Sequence, residues 1–363
     1  MDYSNAKLVI DSHGFEPGKI RWRSPSNIAL IKYWGKHGQQ LPRNPSISLT
    51  LSQAATDTTI SYELSHDPSK DIELEFYFAD APRPDFAAKV EQYLRSLLPV
   101  FPFLKQLRLR IDTDNSFPHS AGIASSASAM SALAAALCGL EKRFFGTLMY
   151  EGEFLQKASF LSRLGSGSAC RSLYPYVAVW GETAGVAASS DLYAIPYAEE
   201  VASVFHRYHD DILLISRAEK TVSSRAGHGL MEGNLYAANR YQQARSRLNR
   251  LTDAMRAGDL ETFGRITEAE ALTLHALMMT SEPPYLLMEP GTIAAIRKVQ
   301  AWRQETGHPL YFTLDAGPNL HLLYPDDIAE PVKNFIRSEL VSLCHEGQYI
   351  ADRCGRGAEE IEV

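Results

Sequence analysis

Pro118-His-Ser-Ala-Gly-Ile-Ala-Ser-Ser-Ala-Ser-Ala129, running directly into the alanine-rich segment Met130 to Leu140, is the stretch on which the fold turns. It reads as a phosphate-binding loop feeding a helix. Ala121, Gly122, Ala124 and the serines let an anion approach the backbone closely, and the helix that follows offers free N–H groups and the positive end of its dipole. The loop lacks the Gly-x-x-x-x-Gly-Lys-Ser/Thr pattern of a Walker loop. The cation that neutralises phosphate therefore has to come from elsewhere in the chain.

At 363 residues with 45% apolar content the chain is long enough for two domains, each with its own core, and is not globally disordered. A formal net charge of −7 argues against nucleic acid as the main partner, since a phosphate backbone demands a broad basic surface. A small anion held by a few local cations remains open. Asp2, Lys7 and Asp11 do not resemble the start of a secretory signal. The uncharged run Asn115 to Leu140 is long enough to raise a membrane span, but its serines and alanines are too weakly hydrophobic, and a buried helix is expected. Cys138, Cys170, Cys344 and Cys354 form no Cys-x-x-Cys pair, which fits a reducing cytoplasm. His206 and His209 have no third ligand at a zinc-site spacing and read as solvated residues before a strand, so no resident metal site is expected.

Strand-like runs at Lys19 to Ser24, Ser46 to Ser52, Thr58 to Leu64, Ile72 to Phe78 and Leu107 to Asp112 make the first half sheet-rich. Helical patterns follow at Asp85 to Leu98, Ala124 to Leu140 and Glu151 to Arg163, then a strand at Tyr174 to Trp180. Beyond the strand Asp211 to Ser216 the periodicity predicts helices at Leu230 to Met255, Leu260 to Met279 and Gly291 to Thr306. Strands at Leu310 to Asp315 and Leu320 to Tyr324 and a helix at Val332 to Cys344 complete the chain. Strands and helices without regular alternation indicate an α+β fold of two domains, 1–205 and 206–363, with a ligand cleft between them.

Four further segments carry chemistry. In Ser24-Pro-Ser-Asn-Ile-Ala-Leu-Ile-Lys-Tyr-Trp-Gly-Lys36, Lys32 and Lys36 are compact cations at the end of an apolar strand, suited to phosphate; standing alone they would be read as surface lysines. Arg163-Leu-Gly-Ser-Gly-Ser-Ala-Cys-Arg-Ser172 is a second small-residue loop, here followed by Arg171, whose fork suits a carboxylate; a serine-rich corner is the competing reading. Thr313-Leu-Asp-Ala-Gly-Pro-Asn319 puts Asp315 where a carboxylate can orient or deprotonate a hydroxyl, or merely cap a turn. Lys220-Thr-Val-Ser-Ser-Arg-Ala-Gly-His228 is the weakest of the four, since Ser223, Ser224 and Arg225 would look the same in a surface turn.

In this order the segments resemble the mevalonate diphosphate decarboxylases of the GHMP kinase superfamily. The resemblance rests on Asn27-Ile-Ala-Leu-Ile-Lys-Tyr-Trp-Gly-Lys36, the loop from Asn115 to Ala127, Gly165-Ser-Gly-Ser-Ala-Cys-Arg-Ser-Leu-Tyr174 and Asp315-Ala-Gly-Pro-Asn319. It implies an N-terminal domain like ribosomal protein S5 domain 2 and a ferredoxin-like C-terminal domain. It also implies a reaction: ATP with Mg2+ phosphorylates the C3 hydroxyl of mevalonate 5-diphosphate, and loss of phosphate and carbon dioxide yields isopentenyl diphosphate. Carried over by position, Asp315 acts on the C3 hydroxyl, Lys32 stabilises phosphoryl charge and Arg171 holds the carboxylate. Ser120, Gly122, Ala124, Ser125 and Ser126 meet the ATP phosphates. Asn27, Tyr33, Lys36, Ser166 and Ser168 line the substrate side. The partners expected are a phosphorylated mevalonate, no nucleic acid and no membrane, and homodimerisation would suit the family.

The match departs from the family at His119-Ser120, where Thr-Ala is usual, and at Pro175-Tyr176, where Gly-Gly is usual. On the helix at Asp85 to Leu98 the family's arginine for the substrate diphosphate is replaced by Lys89, a point charge in place of a fork, which leaves mevalonate 5-phosphate open as the substrate. A related small-molecule kinase and a non-catalytic binding protein also stay open, although Lys32, Arg171 and Asp315 together speak against the second. The first eighteen residues and the tail from Cys354 have no matched counterpart.

Overall fold

The computed structural model describes residues 2–67, 69–118, 123–218 and 222–362. In chain order the strands are β1 (Gly18–Ile31), a two-residue pair β2 (Lys36–His37) and β3 (Leu41–Pro42), then β4 (Ser46–Leu64), β5 (Glu73–Phe78), β6 (Ala81–Pro82) and β7 (Leu107–Asn115). After these come β8 (Val177–Trp180), β9 (Ala194–Pro196), β10 (His209–Leu213), β11 (Tyr311–Thr313), β12 (Leu320–Tyr324), β13 (Tyr349–Ile350) and β14 (Glu359–Ile361). The α-helices are α1 (Pro84–Ser96), α2 (Ser125–Phe145), α3 (Glu151–Gly165), α4 (Ser224–Gly229), α5 (Ala237–Ala257), α6 (Leu260–Met279), α7 (Pro290–Thr306) and α8 (Ala329–Phe335). The result is the two-domain α+β fold expected.

One sheet runs β14-β1-β4-β7-β5-β6 with β8 and β9 branching from β4, and a second runs β11-β12-β10-β13. The unmatched C-terminal tail is thus structural: after β13 in the second sheet it crosses back, and β14 adds an edge strand against Arg21, Trp22 and Arg23 of β1. Helix α2 covers the first sheet. Its run Ala132 to Leu140 is buried throughout because small side chains let the helix approach closely, and a Cβ on Gly139 would stand 2.4 Å from Ile20 Cδ1. Of the uncharged segment weighed as a membrane span, the part from Ser125 onward is a core helix, and no described helix is long and apolar enough to cross a membrane.

Some expectations change. Ser46 to Ser52 and Thr58 to Leu64 are the two ends of one 19-residue strand. Its middle, Ser52 to Ala54, is held by Asp352, whose carboxylate accepts the three N–H groups at 2.9, 2.8 and 2.7 Å. The helix expected from Leu230 begins only at Ala237, since Gly233 adopts φ +80° and Asn234 Oδ1 accepts the Tyr236 N–H at 2.8 Å, which makes a turn. The helix expected to reach Cys344 loosens into wider and tighter turns after Phe335. His206 and His209 are half-buried rather than free in solvent: His206 stacks on Tyr176, and His209 stacks on Tyr324 and bonds Asp326 at 2.9 Å.

Candidate active site

Ile28, Ala29, Leu30 and Ile31 are buried at the end of β1 and carry Lys32 into the interior. Lys32 Nζ donates to Asp315 Oδ1 at 2.9 Å, with the lysine side chain 2% exposed and the aspartate 25%. Asp315 follows β11 in a turn closed by the Gly317 N–H on the Asp315 carbonyl at 2.8 Å, and the His275 ring lies 3.1 Å from the same carbonyl. Burial pulls the Lys32 ammonium below its usual value, while the charges of Asp315, then Glu270 and Asp210, resist that fall.

The Lys32 backbone is clamped from both sides. Its N–H donates to Glu270 Oε2 at 2.9 Å, and its carbonyl accepts from Asn44 Nδ2 at 3.1 Å and Arg240 Nη2 at 3.2 Å. Glu270 is completely buried between Arg240, at 2.6 and 2.7 Å, and Arg247, at 2.8 Å. Burial alone would raise its carboxyl, but Arg240 and Arg247 hold it below the ordinary glutamate value. This triad was missed in the sequence, though a signal exists. Glu270 interrupts the apolar stripe Phe263, Ile266, Leu274, Leu277 of α6, and Arg240 extends the stripe Ala244, Leu248, Leu251, Met255 of α5.

Arg171 is 1% exposed, and three of its five N–H groups are spent on the protein. Nε donates to Ser48 Oγ at 3.1 Å, Nη1 to Ser46 Oγ at 2.7 Å and Nη2 to Asn27 Oδ1 at 3.2 Å. Asn27 is fixed in turn by donating to Ser172 Oγ at 2.8 Å and to the Ser168 carbonyl at 3.2 Å. One N–H on each terminal nitrogen has no partner among the described residues. Burial lowers the Arg171 pKa, and Asp315 is near enough to oppose that shift.

The segment after Lys32 meets the loop that had seemed weakest. The ring of Tyr33 packs on Trp180 at 4.7 Å and on His228 at 4.4 Å, and its buried hydroxyl has no partner among the described residues. His228 Nδ1 accepts the Gly35 N–H at 3.0 Å, which a neutral imidazole can do, and burial pushes that ring down to about 3. Lys36 bonds Gln40 Oε1 at 2.9 Å, and burial and then the charge of Arg225 hold it below the usual lysine value. Arg225 is therefore a cation of this cleft, underrated in the sequence.

The two small-residue loops converge, with Ser126 Oγ 3.3 Å from Ser166 Oγ. Ala124, at φ +50°, turns the chain into α2, and among the described residues no side chain caps the helix, so the first-turn N–H groups at Ser125 and Ser126 are available to an anion. Ser120 and Gly122 lie outside the described residues. Lys89 is exposed on α1 with its ammonium 5.6 Å from the Phe86 ring centre, and no described contact joins it to this cluster. Among the described residues no three His, Cys, Asp or Glu side chains converge to hold a metal.

Two family models match the chain: a diphosphomevalonate decarboxylase-like N-terminal domain over residues 24–194, and a mevalonate 5-diphosphate decarboxylase C-terminal domain over residues 212–357. A diphosphomevalonate decarboxylase of Aspergillus fumigatus is 32% identical over 333 residues, covering 87% of this chain and 79% of the relative. A mevalonate diphosphate decarboxylase structure from Staphylococcus aureus superposes with a TM-score of 0.81 at 28% identity, over 96% of this chain and 99% of that one. A structure of MDDEF in complex with MVAPP, AMPPCP and magnesium gives 0.79 at 28%, over 96% and 100%. With these motifs in this order on this fold, the chain belongs to the diphosphomevalonate decarboxylase family.

Proposed function

We propose that this enzyme converts mevalonate 5-diphosphate and ATP into isopentenyl diphosphate, ADP, phosphate and carbon dioxide. The observation that carries the reading is the Lys32–Asp315 pair set beside Arg171, a guanidinium with two N–H groups to spare. A tertiary hydroxyl leaves poorly until it is phosphorylated, and departing phosphate leaves positive character at C3 that expulsion of carbon dioxide relieves. The site then needs one carboxylate at the hydroxyl, cations at the phosphates and one fork on the substrate carboxylate.

Asp315 takes the first role, orienting the C3 hydroxyl and accepting its proton. Lys32 pairs with Asp315 at 2.9 Å and meets charge developing on the transferred phosphoryl group; removing such groups typically costs about 10²- to 10⁴-fold in rate. Arg171, anchored by Ser46, Ser48 and Asn27, grips the carboxylate that departs as carbon dioxide. Lys36, Arg225, Tyr33, Ser166 and Ser168 face the remainder of the substrate, and the pairing of Lys36 with Arg225 favours a diphosphate over a monophosphate. Ser125 and Ser126 receive the nucleotide phosphates at the uncapped end of α2, and bound Mg2+ supplies counter-charge there.

Cytoplasmic location fits the four free, buried cysteines. The division near residue 205 is proposed from the change from the first sheet to the second, with β14 alone of the later strands returning to the first, and homodimerisation belongs to the same reading, testable by light scattering. Incubation with ATP, Mg2+ and mevalonate 5-diphosphate or 5-phosphate tests the whole. ADP, phosphate and carbon dioxide in equal amounts from the diphosphate are expected, and ADP without carbon dioxide would reject decarboxylation.

A further inference from the structure

A second cavity, of about 450 Å³, lies away from this cleft and within the roughly 300–1,000 Å³ of small-molecule sites. Arg23, at its wall, is nine residues before Lys32, roughly 30 Å along the chain at the strand rise of about 3.3 Å per residue. Arg23, Arg207, Arg353 and Arg356 line it from three separate segments, with Glu359 as the one carboxylate among the described lining residues, in a chain whose net charge is −7. Arg23 is engaged by Asp57 at 2.8 Å. Arg207, Arg353 and Arg356 have no ion pair or side-chain hydrogen bond among the described residues, and Asp326, an acid close to Arg207 and Arg353, is taken by His209.

The floor and wall are built with care for space. A Cβ on Gly355 would stand 2.7 Å from the Leu51 carbonyl oxygen and one on Gly357 2.0 Å from that of Leu173, so both positions are closed to side chains. Tyr176 occupies a left-handed backbone, φ +57°, at the place where Gly-Gly is usual, and its ring stacks on His206 at 4.8 Å to form a flat aromatic wall. Three uncommitted arginine forks around one hollow match several phosphate oxygens at once. Four like charges around a hollow with one carboxylate among its described lining residues repel one another, and a bound anion would relieve that repulsion.

We propose that this cavity is a second ligand site, which takes a small molecule ending in a diphosphate or triphosphate. The segment that carries Arg353 and Arg356 also carries Asp352, which holds Ser52 to Ala54, and Gly355, whose N–H bonds the Thr50 carbonyl at 2.9 Å. Thr50 pairs with Asn27, the residue that positions Arg171, so an occupant would brace the strand behind the carboxylate fork.

Titration calorimetry with pyrophosphate, ADP and isopentenyl diphosphate, on the wild type and on Arg353→Gln/Arg356→Gln, tests this. The wild type should bind at least one of the three with one more equivalent than the double variant, or the variant should lose that event by tenfold or more, with kcat and KM unchanged. ADP tighter than pyrophosphate would assign a nucleotide, and the alkyl diphosphate tighter than pyrophosphate a prenyl ligand. Arg207→Gln, in a different segment, guards against misfolding of the double variant and should weaken the same event. Equal binding by wild type and variants, or binding of an acidic peptide but none of the phosphates, would overturn the proposal.

Discussion

Lys32 and Asp315, 283 residues apart in the chain, meet at 2.9 Å between the two sheets, the lysine buried and the aspartate reaching toward the cleft. The pair joins the strand end of one domain to the turn of the other. Any change in how the domains sit changes the group proposed to act on the substrate hydroxyl.

On the proposed reading, charge on Lys32 sets the alkaline limit of activity. An ammonium whose pKa lies below its ordinary 10.5 loses its proton earlier as pH rises. The alkaline limb of kcat/KM should therefore have its midpoint below 10.5, with activity present on its acid side and lost above it. Lys32→Met should lower kcat by about 10²-fold or more, and a pH–rate profile across the neutral and alkaline range checks both.

On the same reading Glu270, which accepts the Lys32 N–H at 2.9 Å, acts through Lys32 as a positioning residue. Glu270→Gln leaves Arg240 and Arg247 without their carboxylate, a break that in buried pairs costs about 3–5 kcal/mol, so thermal stability should fall. A merely structural role would stop there. Loss of a negative charge beside Lys32 should also move the alkaline limb of kcat/KM to still lower pH, and an unmoved limb in the folded variant would confine Glu270 to stability.

For Arg171 the substitution to lysine keeps the charge and removes the fork. Lysine cannot reach Ser46, Ser48, Asn27 and a carboxylate together, so kcat/KM should drop by about 10²-fold with nucleotide affinity nearly intact. Steady-state kinetics in both substrates separates the two effects.

Stability carries a pH signature at Asp211. Burial raises its carboxyl from 3.8 to about 6, only partly offset by the Tyr324 hydroxyl, which donates to it at 2.6 Å. The folded chain holds that proton more firmly than the unfolded one, so this group's contribution to stability falls as pH rises from 3.8 to about 6 and stays low above. Asp211→Asn cannot titrate. The Tm of the variant minus that of the wild type should rise across that window, and a flat difference would show that Asp211 is not so shifted.

Much of this was legible because the groups proposed to react sit in short local patterns. A small-residue loop before a helix, a lysine ending an apolar strand and Asp315 before a Gly-Pro turn are each written in a few adjacent residues. What was hidden depends on distant pairing. The clamp of Glu270 on Lys32 spans 238 residues, and the place of Arg225 beside Lys36 is set by α4 packing on Trp34, where a Cβ on Gly227 would stand 2.6 Å from the indole. The tail from Cys354 found no matched counterpart, and its edge strand of three residues has too short a pattern to announce itself.

Asp315→Asn tests the central claim most directly, since it removes the charge and nearly keeps the shape. Carbon dioxide release from mevalonate 5-diphosphate should fall by about 10³-fold or more, while nucleotide binding, measured by calorimetry with a non-hydrolysable ATP analogue, stays within a few-fold of wild type. Release at the wild-type rate from that variant would contradict the account.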